Sequence, residues 1–335
     1  MPFVSDKKEE TKGNESFGND DTPKTVIADG KVVNDNDEPK EEKLHGEQDA
    51  LKTVYEDDGV VNDYEKPRIP TDPQTIKVRI IDQKPIVILF GAKSTGKTMT
   101  LVRLGNYLRS KLKLTLDVDN LFCTTDVWEY KVNSCNFNSM LGTTMALPGT
   151  NNNDFLFVNV KTNKGETVCH ILEAAGEDYF PTSIANGGRN PKAEFPAYMS
   201  TVFSSENKKL WVFIVDAEWT NGQDCSDYVD RIRYVFNNRC GISDEFLLLY
   251  NKADIEQYVT ARCINNDNAK IRCYGQYGGI EKVFENPSHS LFARSYLHDF
   301  QAFSTGEYHK GGQYNESKDF VPEALWKLIV KKLHI

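Results

Sequence analysis

The pattern of apolar and polar positions changes at about residue 76 of this 335-residue chain. From there on, short apolar runs alternate with stretches of helical periodicity. Ile86–Phe90 is a continuous apolar run, which predicts a strand buried on both faces. Residues 97–112 carry leucines along one side of a predicted helix. Further strands are predicted at residues 154–160, 167–172, 210–215, 246–250 and 300–303, and helices near residues 197–203 and at 320–333.

Strands that alternate with helices indicate the α/β class. We predict a three-layer fold in which helices cover both faces of a mostly parallel sheet. The predicted strands at residues 154–160 and 167–172 flank Asn163-Lys164-Gly165. This turn signal is typical of a hairpin, so one strand of the sheet should run antiparallel to the others.

Residues 1–75 are polar, charged and poor in aromatic side chains. They contain 20 acidic and 10 basic residues, whereas residues 76–335 contain 29 acidic and 30 basic residues. Such a segment cannot bury enough apolar surface to offset its ordering entropy. We therefore predict a disordered acidic tail over 1–75 and one folded domain over 76–335.

The tail contains an internal repeat. Residues 24–35 match residues 52–63 at eight of twelve positions, and each copy places short β-prone runs on both sides of an acidic turn. One interpretation is chance similarity within low-complexity sequence. The other is a duplicated docking motif that adds a strand to a partner's sheet and gains avidity from two copies.

The predicted strand at Ile86–Phe90 is followed by Gly91-Ala-Lys-Ser-Thr-Gly96-Lys97-Thr98, which matches the P-loop pattern G-x-x-x-x-G-K-[ST]. Glycines let the backbone curl so that its N–H groups point at phosphate oxygens, and the helix that follows adds its dipole. Lys97 should reach the β- and γ-phosphates, and the Thr98 hydroxyl should bind Mg²⁺. The predicted nucleotide-binding residues of this loop are Gly91, Lys93, Ser94, Thr95, Gly96, Lys97 and Thr98.

A second motif, Asn251-Lys252-Ala253-Asp254, follows the apolar run at 246–250 and resembles the guanine-recognition motif of the Ras-like GTPases. A carboxylate at Asp254 can accept hydrogen bonds from N1–H and the exocyclic amine of guanine, a donor pair that adenine lacks. Asn251 can bond the N7 side of the base, and the Lys252 stem can cover the ring. Together with the P-loop, this motif is similar to that of the Ras-like P-loop GTPases of the TRAFAC class, over residues 78–335.

The resemblance implies two sensors of the γ-phosphate. At the family's D-x-x-G motif this chain has Glu173-Ala-Ala-Gly176, so Gly176 should present its N–H to the γ-phosphate and Glu173 should hold Mg²⁺ through a water. Glu177 occupies the position of the glutamine that orients the attacking water. A carboxylate there adds negative charge, so we predict slow hydrolysis, with Lys97, Gly176 and Glu177 as catalytic residues.

The resemblance also implies a threonine that closes over Mg²⁺ ahead of the hairpin. Thr143, Thr144 and Thr150 are candidates, and we favour Thr150 because it lies four residues before Asp154. Arg189, in the expected second switch, is either an arginine finger or a solvated loop residue.

The family's last motif corresponds to residues 303–306, where Ser304 and Thr305 should meet the guanine carbonyl. The stretch at about 255–299 is longer than the family needs and suggests an insertion. The pairing of Gly176 with Glu177 and the extended switches look more like divergent bacterial GTPases than trafficking ones.

Composition excludes several other classes. The acidic balance argues against nucleic-acid binding. The seven cysteines and six histidines have no spacing typical of a metal site or a disulfide framework. No apolar run is long enough to span a bilayer, and no signal peptide or lipidation motif is apparent, so we expect a cytoplasmic protein.

The sequence therefore predicts a slow GTPase that binds GTP or GDP with Mg²⁺ and acts as a nucleotide-dependent switch on an unidentified protein effector. One alternative is a pseudo-GTPase, a nucleotide-binding interaction module with negligible turnover, which Glu173 and Glu177 favour. An ATP-driven mechanical P-loop enzyme is a second alternative, and the Asn-Lys-Ala-Asp sequence argues against it.

Overall fold

The structure is a computed structural model that describes residues 71–143, 154–180, 190–284, 298–308 and 314–335. Several predictions concern positions outside these ranges. They are both copies of the repeat, Thr144, Thr150, Arg189 and residues 285–297 of the predicted insertion.

Seven strands form the main sheet, in the order β2-β3-β4-β1-β5-β6-β7. Their bounds are β1 Ile86–Phe90, β2 Thr115–Val118, β3 Phe155–Lys161, β4 Thr167–Ala174, β5 Lys209–Asp216, β6 Glu245–Asn251 and β7 Asp299–Ala302. β3 pairs antiparallel with both β2 and β4, and the remaining neighbours pair in parallel. Strands β8 (Gly306–Tyr308) and β9 (Tyr314–Glu316) form a separate hairpin.

Helices lie between the strands. They are α1 Lys97–Tyr107, α2 Trp128–Met140, α3 Gly176–Tyr179, α4 Ala197–Ser204, α5 Gly222–Asn238, α6 Asn266–Gln276, α7 Ile280–Phe284 and α8 Phe320–Leu333. The predicted α/β class, with a mostly parallel sheet, one antiparallel hairpin strand and helices on both faces, is confirmed.

Two features differ from the sequence prediction. The edge strand β2 was not predicted, because a four-residue strand with alternating buried and exposed residues gives little periodic signal. The predicted helix over 97–112 changes character at Leu108, where a five-residue π-helical turn continues α1 to Leu112. Arg109 in this turn donates a hydrogen bond to the Leu141 carbonyl at 3.0 Å, which ties the turn to the end of α2.

The central strand β1 is buried along its whole length, and this explains its continuous apolar run. Phe90, its last residue, packs its ring against Tyr179 at 4.6 Å and Phe180 at 5.4 Å between centroids. Aromatic pairs of this kind contribute about 1 kcal/mol beyond their buried area. The end of β1 is thereby packed against the residues that follow Gly176.

The hairpin β8–β9 is anchored to α1 by a buried arginine. Arg103 is 1% exposed and donates to the Ser317 carbonyl at 2.6 Å and to Asp319 Oδ1 at 2.9 Å. Asn106, one turn later, donates to Glu316 Oε1 and accepts from the Gly142 N–H at 2.8 Å. These contacts connect α1 with the end of the hairpin β8–β9 and with Gly142, just after α2.

Two regions at the predicted domain limits have defined structure. Pro73–Thr75 forms a short 3₁₀ turn, and Thr71 before it donates two hydrogen bonds of 2.9 Å to the Glu129 carboxylate on α2. Residues 71–75, assigned to the tail from sequence, therefore belong to the folded domain. Within the predicted insertion, α6 packs on β6 and β7 and thus forms the crossover between them.

His298, just before β7, makes stability depend on pH. Its ring stacks on Phe284 at 4.2 Å, and Nε2 lies 2.8 Å from the Tyr274 hydroxyl. Burial lowers the pKa of His298 from 6.5 to about 4, helped by the charges of Lys270 and Lys332. The folded protein keeps the ring neutral where the unfolded chain protonates it, so stability is lost as the pH falls from 6.5 towards 4.

We expect this histidine to lower the free energy of unfolding by about 1–2 kcal/mol between pH 7.5 and 4.5, a value reduced for partial solvent screening. Urea unfolding of the wild type and His298→Phe at both pH values measures the difference. His334→Phe, at the exposed end of α8, is the control. An equal pH dependence in wild type and His298→Phe would contradict the prediction.

Candidate functional site

The predicted site residues meet at one edge of the sheet. β4, β1, β5, β6 and β7 run in parallel, so their carboxyl ends lie together. Glu173 lies near the end of β4, Gly91 follows β1, and Asp216, Asn251 and Ser304 lie at or just beyond the ends of the next three strands. Ligands of open α/β sheets bind in the crevice outside such ends.

The loop between β1 and α1 has the backbone form of an anion-binding nest. Ser94 and Gly96 both adopt left-handed conformations, with φ of 66° and 83°, and the residue between them is buried. Alternation between right- and left-handed residues turns successive N–H groups towards one point. A Cβ on Gly91 would lie 2.6 Å from Thr95 Oγ1, so the tight loop also needs glycine there.

Lys97 begins α1 beneath this loop and is 4% exposed. Its ammonium donates to the Ala92 carbonyl at 3.0 Å, an oxygen that also accepts from the Thr95 hydroxyl at 2.9 Å. Burial lowers the pKa of Lys97, opposed by the charge of Glu173. An anion held by the loop would stabilise this buried cation.

Thr98 and Glu173 place two possible oxygen ligands of a metal ion side by side next to the loop. The Thr98 hydroxyl donates to Glu173 Oε1 at 2.9 Å. Burial raises the pKa of Glu173 to about 7, against the lowering effects of Lys97 and Thr98. A hydroxyl and a carboxylate at one point are ligands that Mg²⁺ prefers, so these residues fit the ion.

Clusters of three or more His, Cys, Asp or Glu that could hold a metal are absent from the described residues. Mg²⁺ at phosphate sites needs only one or two protein ligands, because phosphate oxygens and waters complete its shell. The pair of Thr98 and Glu173 is in keeping with that mode of binding.

Asn251 joins the predicted base-recognition segment to the loop between β1 and α1. This residue is 1% exposed, and its Nδ2 donates to the Thr95 carbonyl at 2.8 Å. A Cβ on Gly96 would lie 2.4 Å from that same nitrogen. Asn251 therefore fixes the distance between the two motifs, a role beyond the N7 contact expected from sequence.

Lys252 is held by two carboxylates. It adopts a left-handed φ of 58°, and its ammonium lies 2.7 Å from Asp216 Oδ2 and 2.5 Å from Glu218 Oε2. Burial alone lowers the pKa of Lys252, but its hydrogen bonds to the two carboxylates outweigh burial and raise it. Asp254, two residues later, is half-buried beyond the end of β6.

Asp216 has two roles in this arrangement. Its Oδ1 accepts a hydrogen bond from the Glu218 N–H at 2.8 Å and so caps the turn beyond β5. The ion pair with Lys252 was not expected, because these residues are far apart in sequence. One sequence signal could have indicated this ion pair. Asp216 is an acidic residue at the end of β5, next to the strand that leads into Asn-Lys-Ala-Asp.

Ser304 and Thr305 lie beside the Asn-Lys-Ala-Asp segment and are 1% and 6% exposed. Two backbone hydrogen bonds place them: Phe303 donates to the Tyr250 carbonyl at 2.8 Å, and Ala253 donates to the Phe303 carbonyl at 3.0 Å. The Ser304 hydroxyl accepts from the Gly306 N–H at 3.1 Å. The loop after β7 is thus held against the Asn-Lys-Ala-Asp turn.

Gly176 packs directly on the P-loop backbone. A Cβ on this residue would lie 2.0 Å from the Lys93 nitrogen and 2.5 Å from the Ala92 carbonyl carbon. Glu177, the next residue, pairs its Oε1 with the Lys93 ammonium at 2.6 Å. The residues predicted to sense the γ-phosphate are therefore in contact with the phosphate loop.

Arg231 on α5 binds the chain on both sides of residues 181–189, the predicted second switch, and was missed from sequence. It is 1% exposed, and it donates to the Tyr179 carbonyl at 2.7 Å, to Pro191 at 2.9 Å and to Ala193 at 2.6 Å. Its guanidinium also lies 4.0 Å from the Phe195 ring centroid. A buried arginine inside an amphipathic helix gives no sequence signal of such a role.

Of the three threonines considered as Mg²⁺ ligands, only Thr143 lies within the described residues. Its hydroxyl donates to the Met140 carbonyl at 3.1 Å, at the end of α2. The assignment of Thr150 and the role of Arg189 remain predictions.

No protein-family model matches this chain, and no curated protein sequence matches it. Solved structures of similar fold include nucleolar GTP-binding protein 1 of Plasmodium falciparum, with 11% identity and a TM-score of 0.37 over 77% of this chain and 90% of that chain. The signal recognition particle receptor SRb-GTP/SRX complex of Chaetomium thermophilum has 16% identity and a TM-score of 0.36, over 74% of this chain and 99% of that one.

The GTP-bound GTPase-like domain of Ski7 from S. cerevisiae has 14% identity and a TM-score of 0.34, over 76% of this chain and 51% of that chain. These identities and TM-scores are too low to assign a family or a function. Among the helices of the described ranges, none is both long and apolar enough to cross a membrane.

Proposed function

We propose that this chain binds a guanine nucleotide with Mg²⁺, hydrolyses GTP slowly to GDP, and acts as a nucleotide-dependent switch. The observation that carries the proposal is the 2.8 Å hydrogen bond from Asn251 Nδ2 to the Thr95 carbonyl. It joins the predicted base-recognition segment to the predicted phosphate-binding loop. This connection supports a ligand that carries both a base and phosphates.

In this proposal the loop N–H groups and Lys97 bind the phosphates, and Thr98 and Glu173 hold Mg²⁺, which neutralises charge on the phosphate oxygens. Asp254 accepts hydrogen bonds from the base, Lys252 covers its face, and Ser304 and Thr305 meet its carbonyl. Gly176 presents its N–H to the γ-phosphate. Thr150 is the proposed second sensor, and a protein effector reads the ordered state.

A pseudo-GTPase that binds nucleotide without turnover is the second candidate. It is favoured by Glu177, which stands where the family has glutamine and engages Lys93 at 2.6 Å. Phosphate release under multiple-turnover conditions separates the two candidates. Docking of a partner on the repeated tail segments is proposed for either case.

The nucleotide proposal is tested by titrating fluorescent GDP and GTP with Mg²⁺ against ATP as competitor. We expect Asp254→Ala to weaken GDP binding about 10- to 100-fold, because hydrogen bonds to a charged group contribute roughly 1.5–3 kcal/mol. Lys97→Ala should weaken GTP binding as well. Asp267→Ala, on the exposed first turn of α6, is the matched control and should bind like the wild type.

Equal competition by ATP, together with unchanged binding in Asp254→Ala, would reduce the assignment to a general P-loop site. Selective guanine binding without phosphate release would favour the pseudo-GTPase.

A further inference from the structure

The Lys93 side chain turns from the phosphate loop towards the second switch. Its ammonium lies 2.6 Å from Glu177 Oε1, and the side chains of Lys93 and Glu177 are 62% and 26% exposed. The hydrogen bond and the charge of Glu177 raise the pKa of Lys93, so the ammonium stays charged. Sequence alone placed Lys93 among the phosphate ligands, whereas its cation engages a carboxylate.

The second oxygen of the same carboxylate has a different environment. Glu177 Oε2 is buried and has no hydrogen-bond partner among the described residues. An ionised carboxylate has about four acceptor positions, so this oxygen retains its capacity to accept. A buried acceptor without a partner is costly unless a donor arrives there.

The backbone around the pair is fixed by close packing. Gly176 lies against Lys93 so tightly that an added Cβ would meet the Lys93 nitrogen at 2.0 Å. The ion pair therefore spans two segments whose main chains are already in contact. The two backbones therefore need no further ordering when the pair forms, and only side-chain freedom is lost.

The local charge explains why a cation is needed. Glu173 and Asp178, both buried carboxyl groups, lie on either side of Glu177 in sequence. An unpaired carboxylate at Glu177 would add negative charge beside a phosphoryl group that is itself anionic. The Lys93 ammonium offsets that charge.

We propose that Lys93 is a positioning residue for hydrolysis: it holds Glu177 Oε1, so that Oε2 accepts the hydrogen bond of the attacking water. This inference rests on the proposed GTPase function. The water oxygen bonds to the γ-phosphorus, and the bond from that phosphorus to the bridging oxygen breaks, with its electron pair leaving on GDP. The water proton is accepted at Oε2 and passes to the released phosphate.

The test is single-turnover phosphate release from preloaded GTP, with GTP affinity measured in parallel. Lys93→Met keeps the stem and removes the charge, and we expect release to slow at least about tenfold while affinity changes less than threefold. Lys93→Arg should restore most of the rate. Lys131→Met is the matched control, since Lys131 pairs with Asp126 at 2.6 Å and is 63% exposed.

The double variant Lys93→Met/Glu177→Ala completes a cycle with Glu177→Ala, which removes the carboxylate without introducing the family's glutamine. Because Lys93 acts through Glu177, the double variant should be no slower than Glu177→Ala alone. Three results would each overturn this inference without overturning the proposed function. They are equal phosphate release by wild type and Lys93→Met, a loss confined to GTP affinity, and additive losses of rate in the cycle. Guanine binding by wild type without any release would overturn it together with the proposed hydrolysis.

Discussion

Gly176→Ala is expected to slow GTP hydrolysis by about 100-fold, because a displacement of about 1 Å between reacting groups costs that much. The added Cβ would lie 2.0 Å from the Lys93 nitrogen and 2.4 Å from its Cα, where contacts below 3.0 Å are not tolerated. Both atoms belong to the backbone, so no side-chain rotation relieves the clash. The start of α3 must then move away from the P-loop and carry Glu177 with it.

The measurement is single-turnover phosphate release, and GDP affinity and urea unfolding are measured in parallel. GDP binding should change little, since the clash lies on the side predicted for the γ-phosphate, and stability should fall by about 1–3 kcal/mol through overpacking. Gly275→Ala is the matched control. No atom lies within 4 Å of a Cβ at that position in α6, and alanine should stabilise the helix by about 0.5–1 kcal/mol.

An unchanged release rate in Gly176→Ala would mean that this contact is not required for catalysis. Loss of GDP binding in the same variant would instead indicate that the whole phosphate loop had been disturbed.

Asn251→Asp is expected to weaken GDP binding about 1,000-fold and to lower the free energy of unfolding by about 3–5 kcal/mol. The substitution keeps the shape of the side chain but replaces the Nδ2 donor with an oxygen. That oxygen would face the Thr95 carbonyl at 2.8 Å in a site where Asn251 is 1% exposed. Asn251→Ala removes only the hydrogen bond and should cost about 1–3 kcal/mol.

Isothermal titration with GDP and urea unfolding measure both effects, and the order of the two variants is the decisive result. If aspartate is no worse than alanine, Asn251 does not donate to the P-loop. Asn265→Asp is the matched control. Asn265 is the N-cap of α6 and its Oδ1 accepts from the Asn268 N–H at 3.2 Å, so a carboxylate keeps that bond and suits the helix dipole.

Local sequence was sufficient for the elements that define the class of fold. The continuous apolar run at Ile86–Phe90 indicated the buried central strand, because a strand covered on both faces has no polar side. Gly91 and Gly96 indicated a tight loop between β1 and α1, because its backbone conformation needs glycine at fixed positions along one stretch of chain. Such signals are short-range, and a single sequence contains them.

The tertiary structure decided which distant residues meet. Three side-chain contacts join segments that are far apart in the chain: Lys93 with Glu177, Asn251 with Thr95, and Lys252 with Asp216. Each pair exists because parallel strands deliver their carboxyl ends to one edge of the sheet. The periodicity of a segment does not indicate which other segment it will contact. These contacts depend on the order of the strands in the sheet, and that order is set only when the whole core packs.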